Sequence, residues 1–305
     1  MSAQAPSAVV LIRPHHFAPN AQTAADNTFQ AEAPAASAAL AQRAHEEVSA
    51  LAEALIAEGV TVELFEDEGD DLPDSVFPNN WFSTHAGGHI AVYPMYTPNR
   101  RGERRWDIIE HLKARYRAQT VTDYSGLELD GVFLEGTGAM VLDHDGRIAY
   151  VARSRRADPI ALERFCTNFG YEPIAFDAVD EQGVPVYHTY VLMCVATEFA
   201  LVGLGRIGDA ERRRQVQERL SARHEVIELS AHQVREFTGN AIELSGSSGR
   251  ILVMSERGRA ALTPAQVAAI ERSARIVAVP VPTVELAGGS VRCMIAGVHL
   301  DRRPA

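Results

Sequence analysis

The stretch Ser37–Leu64, SAALAQRAHEEVSALAEALIAEGVTVEL, carries the order of elements that decides the fold. Its first part is rich in Ala and Leu and predicts a helix that ends at Gly59. The residues Val60–Leu64 directly behind it predict a strand. After an acidic turn, a Gly-Gly hairpin is predicted to join the segments Trp81–Thr84 and His89–Tyr93. Helix, strand, loop and hairpin together form one unit.

This unit recurs along the chain. Further helices are predicted at Gly102–Arg117, Pro159–Phe169 and Asp209–Leu220, and a fifth starts with Thr263 as its N-cap. The helix ends lie roughly fifty residues apart, a spacing typical of propellers and other repeat architectures. The last unit has one hairpin strand, around Ser290–Ile295, which the N-terminal strand Ala8–Ile12 can complete. The sequence therefore predicts an α/β fold in which five units close a ring.

The bulk composition is that of a globular protein with a sizeable core. The 305 residues, 46% of them hydrophobic, suit one large domain or two small ones, and the ring favours a single catalytic domain over residues 1–305. A formal net charge of -11 argues against nucleic acid and anionic membranes as partners. No apolar run approaches the ~20 residues of a membrane span, and Met1–Ser7 lacks the features of a signal peptide. We therefore expect a cytoplasmic protein.

Three widely spaced cysteines, Cys166, Cys194 and Cys293, form no CxxC pair, and no histidines cluster at zinc-ligand spacing. The sequence thus indicates neither a disulfide framework nor a metal or other cofactor, and Cys166 and Cys194 are expected to pack. Cys293 differs because a Gly-Gly pair precedes it in Val284–Ile295, VELAGGSVRCMI, and glycines let the backbone turn tightly or approach a ligand. A lone cysteine is nevertheless more often a small buried hydrophobe than a nucleophile.

Polar residues stand at the same joint of every unit, between the long loop and the hairpin. They are Asp74 with Asn79 and Asn80, then Glu135, His188, Asn240 and the segment Gly288–Cys293. Because equivalent joints converge on the axis of a closed ring, a thiol, an imidazole and a carboxylate are expected to meet in a central pocket, as nucleophilic thiol catalysis requires. Taken singly, His188 can equally be a hydrogen-bonded structural histidine, and Glu135 a solvated acid in a turn.

A polar, irregular stretch follows the first strand, from Phe17 to Gln30. A loop of this length in a compact domain is usually functional or mobile, so residues 13–31 are interpreted as a lid over the active site. A plain surface connector is the alternative.

These motifs resemble those of the guanidine-modifying superfamily, which contains arginine deiminases, amidinotransferases and dimethylarginine dimethylaminohydrolases. The similarity covers nearly the whole chain, in the segments Leu72–Phe77, Pro98–Glu103, Leu134–Gly138, Ser154–Arg156, Tyr187-His188, Gly239-Asn240 and Gly288–Cys293. It is greatest to the dimethylarginine hydrolase branch. Asp74–His85 together with the lid Asn20–Gln30 resembles the bacterial citrulline-utilisation hydrolases. The resemblance implies a five-bladed α/β propeller.

The resemblance also implies the roles of the triad. Cys293 resembles the nucleophile that forms a thiol-bound intermediate, His188 the general acid and base, and Glu135 the carboxylate that supports it. Asn240 is expected to contact the substrate.

The same resemblance implies how the amino-acid end of the substrate binds. Asp74 resembles the residue that holds the amino group, while Arg101 and Arg156 resemble the pair that grips the α-carboxylate. A shift by one residue stays open, because further arginines crowd both sites, namely Arg100, Arg104, Arg105, Arg153 and Arg155.

Two departures from guanidinium-specific enzymes bear on the substrate. Those enzymes present carboxylate at the position of Asn79 and Asn80, because a buried cation has to be paired. An amide offers an acceptor and a donor, which suits an uncharged ureido group. The sequence therefore predicts citrulline as substrate, cleaved to ornithine, ammonia and carbon dioxide. The second departure is Tyr190, where deiminases carry an aspartate and the citrulline hydrolases an asparagine.

Two other interpretations stay open. One is an arginine deiminase or a dimethylarginine dimethylaminohydrolase, with Glu135 alone paired to the guanidinium. The other is a non-catalytic amino-acid-binding homologue, against which the joint presence of Cys293, His188 and Glu135 argues. A small amino acid is the expected partner in each case, and the sequence leaves the oligomeric state open, a homodimer included.

Overall fold

The structure, a computed structural model, describes residues 3–31 and 38–304. Its strands are β1 (Ala8–Pro14), β2 (Thr61–Asp67), β3 (Phe82–His85), β4 (His89–Val92), β5 (Thr120–Asp123), β6 (Met140–Asp143), β7 (Ile148–Ala152), β8 (Glu172–Phe176), β9 (Met193–Val195), β10 (Phe199–Val202), β11 (Glu225–Glu228), β12 (Ile242–Gly246), β13 (Gly249–Ser255), β14 (Arg275–Val279) and β15 (Ala296–Gly297). Its α-helices are α1 (Ala38–Ala57), α2 (Trp106–Arg115), α3 (Gly136–Ala139), α4 (Pro159–Phe169), α5 (Ala210–Ser221), α6 (Ala231–Arg235), α7 (Glu256–Ala260), α8 (Pro264–Ile270) and α9 (Val291–Met294).

The strands form five three-stranded sheets of one pattern, in the orders β15-β1-β2, β3-β4-β5, β6-β7-β8, β9-β10-β11 and β12-β13-β14. In each sheet the middle strand is antiparallel to one neighbour and parallel to the other. Ile90 of β4, for example, lies opposite Thr84 of β3 and Val121 of β5. The predicted repeat is confirmed as a mixed α/β fold built from repeated small sheets.

The boundaries of the repeat differ from the prediction. The strand behind a helix pairs with the hairpin before that helix, as β5 does with β4, and not with the hairpin that follows. Parallel strands need a crossover connection, which the helix supplies. The two strands of a hairpin and the strand after the next helix therefore form one sheet. The predicted strand at Ser290–Ile295 is also wrong, because Val291–Met294 form the helical turn α9. The Ser290 carbonyl accepts from the Cys293 N–H at 2.9 Å, which curls the chain there.

The two ends of the chain share one sheet. β1 runs antiparallel to β15 and parallel to β2, so that Val10 lies opposite both Ala296 and Glu63. The N-terminal strand thus pairs with the last strand of the chain as predicted, although that strand is Ala296–Gly297 and not Ser290–Ile295. β15 contacts β3, and β9 contacts both β6 and β12, so neighbouring sheets meet through their short first strands.

Apolar side chains fill the space between the sheets and the helices. Helix α1 buries one face, which includes Leu51 and Leu55, and packs against β1 and β2. Its predicted first residue, Ser37, lies outside the described residues. Cys166 and Cys194 are buried and form no disulfide. None of the described helices combines the length and the apolar character needed to cross a bilayer.

Replacing Leu11 with Ala should lower the free energy of unfolding by about 2–5 kcal/mol, because the side chain is fully buried in β1 and its loss leaves a cavity. Chemical denaturation measures this loss. Leu129→Ala is the matched control, since Leu129 is 93% exposed and its truncation should cost less than about 0.5 kcal/mol. Equal losses in both variants would contradict the central position of β1.

Candidate active site

The joints before the short first strands bring the polar side chains together. Asn79 and Asn80 precede β3, Glu135 precedes β6, His188 precedes β9, Asn240 precedes β12 and Cys293 precedes β15. Hydrogen bonds join His188 to Glu135, and Asn240 to Cys293. The Tyr190 hydroxyl lies 3.1 Å from His188 Nδ1. Gly289, where a Cβ would lie 3.0 Å from the Cys293 sulfur, lines the same pocket as His188 and Tyr190. The thiol, the imidazole and the carboxylate therefore belong to one buried cluster.

Two glycines make this cluster sterically possible. A Cβ at Gly138 would come within 2.6 Å of the Tyr190 ring and 3.0 Å of His188 Nδ1. At Gly289, a Cβ would lie 2.8 Å from the Phe77 ring and 3.0 Å from the sulfur of Cys293. Any side chain at either position would push the catalytic groups apart, so the sequence requires glycine there.

Cys293 is fully buried, and its sulfur accepts hydrogen bonds from the Ser290 backbone N–H at 3.1 Å and the Asn240 amide at 3.2 Å. Asn240 is held in turn, since its Oδ1 accepts from the Arg292 backbone N–H at 3.0 Å. Burial raises the pKa of the Cys293 thiol, and hydrogen bonds from Tyr190, Ser290 and Asn240 offset part of that rise. At neutral pH the free protein therefore holds a protonated thiol, and a base has to remove its proton.

Glu135 is the electrostatic centre of the pocket. Its buried carboxylate lies 2.8 Å from His188 Nε2 and 3.4 Å from a guanidinium nitrogen of both Arg100 and Arg156. The other oxygen accepts from the Tyr96 backbone N–H at 3.0 Å. Burial alone would raise the pKa of Glu135, but Arg156, His188 and Arg100 outweigh it and hold that pKa far below its usual range. The carboxylate is therefore ionised at neutral pH.

His188 is neutral in the resting protein. Burial lowers the pKa of its imidazole to about 4, although the hydrogen bond and charge of Glu135 act in the opposite direction. Arg156 and Arg100 already supply the positive charge that Glu135 needs, and they oppose a second cation on the ring. Because an ionised carboxylate can only accept, Nε2–H donates to Glu135, and the lone pair of Nδ1 faces the Tyr190 hydroxyl at 3.1 Å.

The structure places Arg100, and not Arg101, in the pocket. The Arg101 side chain is 35% exposed, pairs with Glu128 at 3.4 Å and lies over the Phe133 ring. Of the expected pair, Arg156 therefore lines the pocket and Arg101 does not, whereas its neighbour Arg100 does. The doublet lies on the 3-10 turn Pro98–Glu103, where consecutive side chains point in different directions, so the sequence alone could not choose between them.

Both pocket arginines are buried and paired. Arg100 binds Glu103 through two nitrogens, at 2.8 and 2.9 Å, and approaches Asp74 at 3.5 Å. Arg156 binds the carboxylate of Asp26, in the loop 13–31, at 2.6 Å. The carboxylate of Asp26 thus pairs with the guanidinium of Arg156, which was expected to bind the α-carboxylate of the substrate.

The two neighbouring amides differ in how fully they are bonded. Asn80 lines the pocket, its Oδ1 accepts from Arg100 at 3.0 Å, and its Nδ2 donates to Asn79 Oδ1 at 3.1 Å. Asn79 is fully buried, and its Nδ2 has no hydrogen-bond partner among the described residues. Asp74, expected to hold an amino group, accepts from the Asn20 amide at 2.8 Å.

Sequence reasoning did not assign some of the groups that complete the site. Tyr190 was recognised only as a departure, and Asp26 and Asn20 only as polar residues of a loop. No pattern in the sequence indicates which groups such a loop will contact, because its backbone follows no regular period. The one available signal was the high content of polar residues between Phe17 and Gln30.

The pocket is almost filled in this structure. It is lined by Thr23 and Asn27 of the loop 13–31 and by Asp74, Phe77, Asn80, Arg100, Arg156, Tyr187, His188 and Tyr190, among others. Its volume is about 10 Å³, about the room of one water molecule. The loop is held in place from both sides, since Asn27 also donates to the Ala287 carbonyl at 3.0 Å. An amino-acid substrate cannot occupy this closed form.

One group of metal-ligand side chains lies elsewhere in the described part of the chain. His15, His45 and Glu66 each place a ligand atom within 4.8 Å of the others. Arg13 already donates to both oxygens of Glu66, at 3.0 and 3.1 Å, so a metal ion would have to compete with a guanidinium for that carboxylate.

A model of the family described as "N,N dimethylarginine dimethylhydrolase, eukaryotic" matches residues 13–300. Among curated protein sequences, none matches the chain. The similar solved structures include the N-terminal domain of ArgZ, a cyanobacterial arginine dihydrolase, in a substrate-bound mutant, with a TM-score of 0.73 and 18% identity over 95% of this chain and 97% of that one.

Two further structures share the fold. Unliganded AgrE has a TM-score of 0.72 and 18% identity, and the match covers 97% of this chain but 40% of AgrE. A mutant dimethylarginine dimethylaminohydrolase from Pseudomonas aeruginosa, complexed with citrulline, has a TM-score of 0.64 and 16% identity over 96% of this chain and 99% of that one. At these identities the likeness shows a common fold.

The buried neutral imidazole makes stability depend on pH in a defined window. With a pKa of about 4 in the folded state and ~6.5 in the unfolded chain, His188 contributes stability that is complete above pH ~6.5 and is lost as the pH falls towards 4. His188→Gln keeps a donor for Glu135 but cannot titrate. The difference in unfolding free energy between wild type and variant, measured by denaturation, should shrink over this window, and a constant difference would contradict a neutral His188.

Proposed function

The chain belongs to the N,N-dimethylarginine dimethylhydrolase family of the guanidine-modifying superfamily and is a hydrolase of C–N bonds, and on this basis we propose that it hydrolyses the ureido group of citrulline. The products are ornithine, ammonia and carbon dioxide. Cys293 is the proposed nucleophile, His188 the general acid and base, and no cofactor takes part. A small free amino acid as substrate suits a cytoplasmic enzyme.

The charge balance around Glu135 is the observation that carries this proposal. Glu135, the carboxylate bonded to His188, already pairs with both Arg100 and Arg156. A guanidinium beside His188 would enter as a further buried cation opposite a carboxylate that two arginines already share, which is costly in a closed pocket. A ureido group is neutral and carries no such cost.

The amides supply a second argument. Asn79 Nδ2 is a buried donor without a partner among the described residues, and a donor in that state costs free energy until an acceptor arrives. A ureido group brings a carbonyl acceptor, whereas a guanidinium carries only donors. Asn80, directly beside it, lines the pocket and would orient the same group.

The amino-acid end of the substrate would meet the polar groups nearest the loop 13–31. Asp74 offers a carboxylate to the α-amino group, and Arg156 offers a guanidinium to the α-carboxylate. In the closed form Asn20 and Asp26 of the loop already bind these two residues, at 2.8 and 2.6 Å. The substrate therefore has to displace the loop contacts before it binds.

We propose, accordingly, that residues 13–31 form a lid over the site. The lid buries Asn20, Thr23 and Asn27 and leaves about 10 Å³ in the pocket, so it has to open for substrate to enter. Closure over bound citrulline would exclude bulk water from the thiol adduct.

The chemistry follows the geometry in two stages. The thiolate of Cys293 attacks the ureido carbon, the bond to the terminal nitrogen breaks, and protonated His188 gives its proton to the departing ammonia. A water molecule then attacks the sulfur-bound carbonyl while His188 takes its proton, and the C–S bond breaks. The carbamate of ornithine leaves and loses carbon dioxide. One water is consumed, and the thiol and neutral imidazole are restored.

We further propose that the five sheets form a closed ring, a five-bladed α/β propeller of one domain over residues 1–305. The contacts of β15 with β3, and of β9 with β6 and β12, support this arrangement. So does the meeting of residues from five successive joints in one cluster, because only a ring brings equivalent joints to a common axis.

Hydrolysis of a guanidino group is the second candidate. The description of the matching family and the arginine dihydrolase ArgZ favour it. For this chain it would require Glu135 to exchange Arg100 or Arg156 for the guanidinium of the substrate, and so to break one of two buried ion pairs.

L-citrulline, L-arginine and dimethylarginine offered in parallel to the purified protein should give ornithine and ammonia from citrulline alone, measured by amino-acid chromatography. Cys293→Ala should lower that rate at least about a thousandfold, because the nucleophile is lost. Cys166→Ala is the control for removing a buried thiol outside the site. Citrulline formed from either guanidino substrate would support the second candidate, and no product from any of the three would favour a binding protein.

Asn79→Asp should change the substrate preference. The variant keeps an acceptor for Asn80 and replaces the unpartnered NH2 with a charged oxygen, which repels the ureido carbonyl and attracts a guanidinium. We expect kcat/KM for citrulline to fall about tenfold or more, equal to about 1.4 kcal/mol, relative to arginine. Asn168→Asp makes the same exchange outside the pocket and should leave the ratio unchanged. An unaltered ratio in Asn79→Asp would contradict the role of this amide.

A further inference from the structure

We propose that a second cavity, at the far ends of the short first strands, binds a small oxyanion through Arg292, and that the bound ion slows the reaction of the Cys293 thiol. The ligand is a carboxylate or a phosphate, whose charged oxygens accept several hydrogen bonds and suit a guanidinium. The binding is independent of the function proposed above, whereas its effect rests on Cys293 as the nucleophile.

The cavity lies at the opposite end of the first strands from the active site, whose residues precede those strands. Its lining includes His85, the last residue of β3, His144, directly after β6, and Gly297, the last residue of β15. Among the described residues the two cavities share Tyr190 alone. The second cavity has a volume of about 50 Å³, the room of about four water molecules, which suits an ion of the size of acetate or phosphate.

Arg292 brings a positive charge to this cavity that no carboxylate of the described residues balances. Its Nη1 donates to the Ile295 carbonyl at 2.8 Å, and it forms no ion pair within the described part of the chain. Burial lowers the pKa of the Arg292 guanidinium, but the group stays protonated at neutral pH. An unpaired buried charge costs free energy, and an oxyanion in the cavity would compensate it.

His144 and His299 line the same cavity, with their ring centroids 4.1 Å apart. The buried Tyr171 hydroxyl lies 2.8 Å from His144 Nδ1 and donates to it, so Nε2 of His144 carries the hydrogen. No described residue accepts from that N–H. His299 donates from Nδ1 to the Ala3 carbonyl at 3.0 Å, and burial lowers its pKa to about 4, so it is neutral. His144 thus adds a free donor to the charge of Arg292.

Glu243 is the one carboxylate among the described residues that line this cavity, and its oxygens are engaged elsewhere. One accepts from the Thr197 backbone N–H at 2.7 Å, and the other lies 3.4 Å from Arg250 Nε. Burial also raises the pKa of Glu243, which reduces its negative charge. Its repulsion of an oxyanion is correspondingly weak.

Arg292 also connects the cavity to the nucleophile. Its backbone N–H donates to Asn240 Oδ1 at 3.0 Å, and Asn240 Nδ2 donates to the Cys293 sulfur at 3.2 Å. Burial raises the pKa of the Cys293 thiol, and the charge of Arg292 is among the influences that oppose this rise. An oxyanion on the guanidinium would offset that charge, leave less thiolate and slow the nucleophile.

Titration calorimetry of the full chain with sodium phosphate, and separately with sodium acetate, tests the site at constant ionic strength. We expect saturable binding to one site. Arg292→Gln should weaken it at least about tenfold, because the charge opposite the ion is lost. Arg213→Gln is the matched control, since Arg213 also bonds a backbone carbonyl, that of Ile207 at 2.7 and 2.9 Å, but outside the cavity. It should bind as wild type does.

Alkylation of Cys293 by iodoacetamide at neutral pH, without amino-acid substrate and with Cys293→Ala as background, measures the effect on the thiol. Saturating phosphate should slow alkylation about threefold in wild type and in Arg213→Gln, but not in Arg292→Gln. A rate that the bound ion leaves unchanged would overturn the proposed effect. Because no substrate is present, that outcome is distinct from failure of citrulline hydrolysis, which the product analysis decides.

Binding that does not saturate, or that is equally strong in Arg292→Gln, would indicate an adventitious ion only and overturn the site. If Arg292→Gln does not fold, wild-type protein supplies the test. Phosphate should shift the imidazole 15N resonances of His144 and His299, while the exposed His232 keeps its resonance. Resonances of His144 and His299 that stay in place would overturn the proposal equally.

Discussion

The ionised, fully buried carboxylate of Glu135 is the constraint on which the rest of the site depends. Its partners come from separate parts of the fold, Arg100 from the connection between β4 and β5, Arg156 from the segment before α4, and His188 from the turn before β9. Loss of that charge would remove one buried ion-pair partner from both Arg100 and Arg156 and the acceptor of the His188 N–H, which is destabilising. The carboxylate thus positions the base and joins neighbouring sheets in one interaction.

That arrangement also decides the chemistry. Because Arg100 and Arg156 pair with Glu135, His188 stays neutral and can receive a proton, and Glu135 is not left unpaired for a cationic reacting group. Asn80 lines the pocket, and the Nδ2 of the buried Asn79 beside it has no partner among the described residues, which suits a polar but uncharged group. The closed loop 13–31 isolates the cluster from water through contacts of Asp26 and Asn20 with the residues expected to bind the substrate's ends.

The sequence predicted much of this, and the reasons for its failures are physical. Hydrophobic periodicity and turn residues predicted helices and strands. The helix Pro159–Phe169 and the strand Arg275–Val279, for example, have the predicted bounds. Which hairpin a strand joins is a long-range choice that local pattern does not encode. Ser290–Ile295 has an apolar, strand-like composition, but hydrogen bonds between Ser290 and Cys293 curl it into α9. Which of Arg100 and Arg101 enters the pocket depends on the direction in which a 3-10 turn points each side chain. The contact of Tyr190 with Asn80 joins residues that are distant in sequence, so local pattern does not encode it.

The most direct test of the central claim is to quench the protein with acid during turnover. Mass spectrometry of the intact protein and of its peptides then shows whether Cys293 carries an adduct. With citrulline, we predict an adduct on Cys293 that carries the ureido carbonyl, still joined to ornithine, and that disappears as ornithine accumulates. Arginine should leave the cysteine unmodified. An adduct formed from arginine or dimethylarginine but not from citrulline, or turnover of citrulline with Cys293 unmodified at every time point, would contradict the account.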